Sequence, residues 1–138
     1  MPAKDIYHDN VKNALIKAQW TITHDPLQLR WGVRDMYVDL GATQLLAAQQ
    51  QERKIAVEVK SFLGGSEINS LENAVGQYIV YRDVMTKTEP NRTLYLAITE
   101  EAFDGIFSEP IGQLIIESNN LNLIVFNSLD EVIKQWLP

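Results

Sequence analysis

The segment Ile55-Ala56-Val57-Glu58-Val59-Lys60 sets one carboxylate and one ammonium two residues apart in an otherwise apolar run. Side chains alternate across a strand, so Ala56, Glu58 and Lys60 share one face and Ile55, Val57 and Val59 the other. A charge among hydrophobes is costly to desolvate and calls for a partner, a metal or a chemical task. Met36-Tyr37-Val38-Asp39-Leu40-Gly41-Ala42 holds a single acid in the same way. Two carboxylates and a lysine so placed suit metal-dependent cleavage of a phosphodiester. Carboxylates supply the oxygen ligands that Mg²⁺ takes. The ion lowers the pKa of its water and neutralises charge on the transition state. Lys60, about 6.6 Å further along the face of Glu58, is a compact cation suited to orienting that water over the scissile phosphate. The plainer reading is a solvated ion pair of Glu58 and Lys60 with each other, or with Arg34 or Asp35. Residue chemistry alone weighs the two evenly.

Spacing by itself is weak: chance places a Glu-x-Lys triplet in about one chain of this length in two or three. A second copy, Glu52-Arg53-Lys54, lies in a polar stretch that reads as a turn of solvated charges. Context separates the two, because Glu58 follows an acid-bearing strand and precedes a capped helix. On that helix Gln77 and Tyr81 stand at i and i+4 and so share a face. They suit orienting Lys60, a water or a phosphate, although a polar helix edge is the commoner meaning of such a pair. His8 and His24 fit no metal-binding spacing. His8, beside Asp9, reads first as a surface or capping residue, with an approach to the site as the alternative. The serines suggest no nucleophile elbow. Gly64-Gly65 follows a strand but lacks the ending of a phosphate-binding loop.

The elements that must position these residues follow from periodicity. Residues 5–19 read as a helix with Ile6, Val11, Ala14, Leu15 and Ala18 toward the core and Asp5 as a cap. Strands are expected at 20–24, 36–42, 44–49 and 54–62, the last two joined as a hairpin across the polar residues 49–53. Leu63-Gly64-Gly65-Ser66 breaks the chain, and Ser66 or Ser70 caps a long helix to about residue 86. Its inward positions are Ile68, Leu71, Val75, Tyr78, Ile79, Met85 and the stem of Arg82. Residues 92–99 form a continuous apolar strand of the type buried on both faces. A helix at 110–118, a strand at 122–126 and a closing helix at 129–136 complete the order. The expected fold is an α/β (α+β) layered domain, residues 1–138, with a mixed central sheet flanked by helices. Trp20 and Trp136 read as core residues.

The chain of 138 residues is long enough to bury a core without disulfides. It has no cysteine, which excludes a disulfide scaffold, a thiol nucleophile and a thiolate metal site, and fits a cytoplasmic setting. The N-terminal residues lack the apolar region of a signal peptide, and no apolar run reaches the length of a membrane span. Net charge is −6, against a protein that grips nucleic acid by bulk electrostatics. Residues 1–60 hold 8 Lys and Arg against 7 Asp and Glu, whereas residues 61–138 hold 4 against 11. The half with the paired charges is near neutral, and a divalent ion would add positive charge there. DNA binding by the chain alone is expected to be weak.

Asp39, Glu58-x-Lys60 and Gln77-x-x-x-Tyr81, with the element order α-β-β-β-α-β, resemble the PD-(D/E)xK nuclease superfamily and its restriction-endonuclease-like fold. Further blocks are Ala18-Gln-Trp20-Thr-Ile-Thr-His-Asp-Pro26, Val38-Asp-Leu-Gly-Ala42, Ile55-Ala-Val-Glu-Val-Lys-Ser-Phe62, Gly76-Gln-Tyr78 and Leu94-Tyr-Leu-Ala97. Together they are similar to the XisH family, the fdxN element excision controlling factor proteins of cyanobacteria. The resemblance implies an accessory role in site-specific DNA excision, beside a recombinase and an XisI-type partner protein. It implies Asp39 and Glu58 as ligands of Mg²⁺ or Mn²⁺, with the Val59 carbonyl joining them, Lys60 as the catalytic lysine and Gln77 as a helix glutamine of the site. Val38 stands where the named motif has proline. The acid that some relatives carry on the first helix has Asp9 as its nearest match. Two functions follow: a metal-dependent DNA endonuclease, or a non-catalytic controlling factor that keeps the fold to contact DNA or protein. A weaker third is a structural subunit whose acidic C-terminal half docks a basic protein. The sequence leaves the oligomeric state open.

Overall fold

The computed structural model describes residues 4–46 and 51–138. Strand alternation decides how its central sheet is buried. On β5 (Gln51–Val59), Ile55, Val57 and Val59 enter one apolar cluster and Ala56 enters another on the opposite face. The same division runs through β6 (Arg92–Thr99) and β7 (Leu123–Asn127). Leu94, Leu96, Leu123 and Val125 face one way; Tyr95, Ala97, Ile124 and Phe126 face the other. Strands apolar on both faces belong at the centre of a layered sheet, and these three are neighbours.

The six-stranded sheet has the order β1-β4-β5-β6-β7-β8, with β1 at Thr21–His24, β4 at Leu40–Leu46 and β8 at Val132–Leu137. β5, β6 and β7 run parallel, and the outer pairings are antiparallel, which makes the sheet mixed. One face is covered by α1 (His8–Lys17), which contributes Val11 and Leu15 beside Trp20. The other is covered by α2 (Glu67–Thr88), α3 (Glu100–Asp104), a 3-10 turn at Ile106–Ser108 and α4 (Pro110–Asn119). α2 starts where the Ser66 hydroxyl accepts the Asn69 N–H at 3.3 Å, a Ser N-cap. It buries Leu71, Ala74, Tyr78, Val84 and Met85 and leaves Ile68 exposed. The expected mixed sheet between helical layers is the architecture found.

Several details differ from expectation, the exposure of Ile68 among them. The strand foreseen over 36–42 is two strands of different sheets, divided at Asp39. β3 (Arg34–Val38) pairs only with β2 (Leu27–Trp31) in a separate hairpin, whereas β4 begins at Leu40 in the main sheet. The hairpin turns at Gly32-Val33, and Gly32 takes φ +61°, as the first position of a type II′ loop requires. Residues 129–136 form no helix: β8 pairs with β7 as an edge strand. Their spacing is helical, but Asn127 Oδ1 accepts the N–H groups of Leu129 and Asp130 and closes a turn. Glu131 then takes φ +54°, which ends any helix there. Gln51, Glu52 and Arg53 lie in β5 opposite Leu46, Leu45 and Gln44, so the second Glu-x-Lys is on an exposed strand end; residues 47–50 of the expected turn and strand lie outside the described residues. Finally, Ile6 and Ala18 flank α1 and are exposed. Trp20 is core as expected, and Trp136 is half-buried, with its ring 5.7 Å from Trp20 and 5.1 Å from Tyr95.

Candidate functional site

The chain leaves the hairpin at Val38 and joins the main sheet at Leu40, so Asp39 falls at the seam beside the C-terminal end of β5. Its N–H donates to Glu58 Oε1 at 3.2 Å, and its own Oδ2 accepts the Val59 N–H at 2.8 Å. These two bonds tie each carboxyl to the backbone of the other's segment and fix both side chains at the seam. Lys60 follows at the strand's end, where its N–H donates to the Ala97 carbonyl at 3.1 Å. α2 crosses this end of the sheet and brings Gln77 and Tyr81 to the same place. The result is a cleft of about 180 Å³ lined by Asp5, Tyr37, Asp39, Glu58, Val59, Lys60, Gln77 and Tyr81. Asp39, Glu58, Val59, Lys60, Gln77 and Tyr81 therefore line one cleft, whereas Asp9 and His8 do not.

Glu58 is 7% exposed, and its acidity is set by that environment. Burial, and next the Asp39 charge, push its carboxyl up to about 9, against an opposing bond from the Asp39 N–H and the Lys60 charge. Burial also raises the Asp39 carboxyl, offset in part by the Val59 N–H and by a hydrogen bond from Glu58. Both carboxyls are thus held toward their protonated forms by burial, Glu58 with the Asp39 charge as a further cause. Burial, then the Glu58 and Asp39 charges, push the Tyr81 phenol up to about 12, so it is a neutral donor beside the carboxyls. A buried pair of like charges, short of positive charge by the reach of a single lysine, is a setting that a cation relieves.

The donor set fits Mg²⁺ or Mn²⁺: hard carboxylate oxygens, with room for the waters such an ion keeps. It does not fit zinc, which takes three or four protein ligands rich in His and Cys. Among the described residues, no group of three or more His, Cys, Asp and Glu is placed to hold an ion. Two larger cavities, of about 460 and 320 Å³, lie elsewhere, under Trp31 and around Trp136, and contain no buried carboxylate. Chemistry rather than size selects the smaller cleft.

Two site residues were not foreseen. Asp5, expected as a helix cap, does accept the Tyr7 N–H at 2.9 Å, but its Oδ2 also takes the Ser61 N–H at 2.8 Å and so ties the chain beside Lys60. Asp9 points to no part of the cleft and is exposed, so the N-terminal acid at the site is Asp5. Tyr37 enters from β3, a hairpin that the isolated apolar residues Leu27, Leu29, Met36 and Val38 signal by alternation around Gly32. His8 is buried, neither surface nor cap, and its Nε2 lies 2.7 Å from Asp25 Oδ1. Lys12 Nζ holds the other Asp25 oxygen at 2.9 Å. Burial works to raise the Asp25 carboxyl, but these two partners outweigh it and hold it low.

Comparison with known proteins places this geometry in a family. A crystal structure of an XisH family protein from Nostoc punctiforme is 35% identical and superposes with a TM-score of 0.89, covering 97% of this chain and 100% of that one. A crystal structure of a fdxN element excision controlling factor protein from Anabaena variabilis is 38% identical, again with a TM-score of 0.89, covering 98% and 100%. No curated protein matches the chain. The family described as XisH protein matches residues 1–134. The chain belongs to the XisH family.

Proposed function

We propose that this protein is a controlling factor in the excision of a DNA element and that its cleft is a Mg²⁺-dependent phosphodiesterase centre. The observation that carries the reading is the meeting of the Asp39 and Glu58 carboxyls with Lys60 at the end of β5. The excision role is taken from the printed description of the Anabaena variabilis relative, 38% identical over nearly the whole chain. A divalent ion at the carboxyls would supply a Lewis acid for the phosphate and an acidified water. Asp39 and Glu58 would hold it, with the Val59 carbonyl as a third oxygen, both carboxyls being deprotonated in that role. Lys60 orients the nucleophile and balances charge on the phosphate. Gln77 and the neutral Tyr81 phenol donate hydrogen bonds to a water or a phosphate oxygen. With a net charge of −6, the chain draws part of its DNA affinity from partners, a recombinase and an XisI-type protein.

A second reading, a controlling factor that contacts DNA or protein without cutting, is favoured because no group of three His, Cys, Asp or Glu among the described residues is placed to hold an ion, and both oxygens of the third acid in the cleft, Asp5, accept backbone N–H groups. Supercoiled plasmid incubated with the protein and Mg²⁺ or Mn²⁺ separates the two. Nicking or linearisation by the wild type, lost in Glu58→Ala and Lys60→Ala, is expected. Equal cutting by all three would remove the catalytic assignment, and no cutting by any of them favours the second reading.

A further inference from the structure

The β2–β3 hairpin has two faces of different chemistry. Leu27 opposite Val38 and Leu29 opposite Met36 pack toward α2. On the other face Gln28 lies opposite Tyr37 and Arg30 opposite Asp35, because directly paired residues share a side of an antiparallel ribbon. Tyr37 is also a wall of the cleft. The polar face adjoins the carboxyl pair: Asp35 and Tyr37 alternate along β3 with a step of about 6.8 Å, and Asp39 follows just past the end of the strand. That step is close to the spacing of neighbouring phosphates along a nucleic-acid strand. The face offers mainly donors: the Gln28 amide, the Tyr37 hydroxyl and the Arg30 guanidinium.

Arg30 Nη1 meets Asp35 Oδ1 at 3.1 Å and Oδ2 at 3.4 Å. The two side chains are 62% and 37% exposed, and an ion pair so open to water adds little to stability. It exchanges readily for a phosphate, which a guanidinium binds through two parallel hydrogen bonds. We propose that this face is the track on which a DNA strand lies as it leaves the cleft, with Gln28 and Arg30 meeting successive phosphates. The proposal rests on the DNA reading of the cleft. Asp35 acts as an internal competitor for Arg30, which keeps the track weak in the free protein.

Anisotropy of a short fluorescent DNA duplex, titrated with the protein in Ca²⁺ over a range of salt concentrations, tests the track. Arg30→Ala is expected to weaken binding roughly three- to tenfold and to lower the salt slope by about one. Asp35→Asn, by releasing the guanidinium, is expected to strengthen binding by a similar factor. Both positions are exposed, so the variants keep the fold, which their melting temperatures verify. Binding by the wild type that neither substitution changes overturns the track and leaves the cleft reading standing. No binding by the wild type overturns the DNA reading itself, and the track with it.

Discussion

Glu58 keeps its proton in the folded chain up to about pH 9, because burial and the adjacent Asp39 both disfavour its charge, whereas its ordinary value is 4.5. Between those limits folding takes up a proton. The contribution of this group is therefore full below about pH 4.5 and is lost progressively as the pH rises toward 9. A glutamine at 58 retains an oxygen for the Asp39 N–H and presents an amide N–H to the Asp39 carboxyl, without titrating. Glu58→Gln is thus expected to stabilise the protein at pH 8 by roughly 1–3 kcal/mol and to flatten the decline of stability above pH 6. Denaturant unfolding at pH 5 and pH 8 measures both effects. A variant no more stable than the wild type at pH 8 would contradict the protonated carboxyl pair.

At the scale of elements, the parts that hold the site were legible where one apolar face is buried. Ile55, Val57 and Val59 signal a strand, and the alternation that buries them turns Glu58 toward α2. Ser66 marks the start of that helix, and the i, i+4 spacing of Gln77 and Tyr81 sends both toward the carboxyls. Illegible were features decided by tertiary pairing. Nothing local shows that Val38 and Leu40 belong to different sheets, yet that division is what sets Asp39 at a seam. β8 was hidden because Leu129, Val132, Ile133 and Trp136 are spaced as on a helix; the turn bonds to Asn127 and the open edge of β7 decide otherwise. Asp5 reads locally as a cap, and its bond to Ser61 depends on a contact across 56 residues. Close packing between elements is equally invisible. A Cβ at Gly112 on α4 would overlap the Ile106 carbonyl oxygen and the Phe107 backbone, neither of which can swing aside. Gly112→Ala is expected to cost about 3 kcal/mol, read as a lower denaturant midpoint at an unchanged slope. An unchanged midpoint would contradict that approach of α4 to the 3-10 turn.

At the scale of the molecule, charge and chemistry are segregated. The cleft is built from the near-neutral half, residues 1–60, closed by α2, while Glu100, Glu101, Asp104, Glu109, Glu117, Asp130 and Glu131 lie in the acidic half beyond it. No helix among the described residues is long and apolar enough to cross a membrane. On the proposed reading, a cation at the paired carboxyls supplies the missing charge. Calorimetric titration of the metal-free protein with Mn²⁺ at pH 8, in buffers of different ionisation heat, tests that most directly. The account predicts one ion bound per chain, the release of about one proton on binding, and an affinity roughly tenfold or more weaker in both Asp39→Asn and Glu58→Gln. An absence of binding, or one affinity shared by all three proteins, would contradict it.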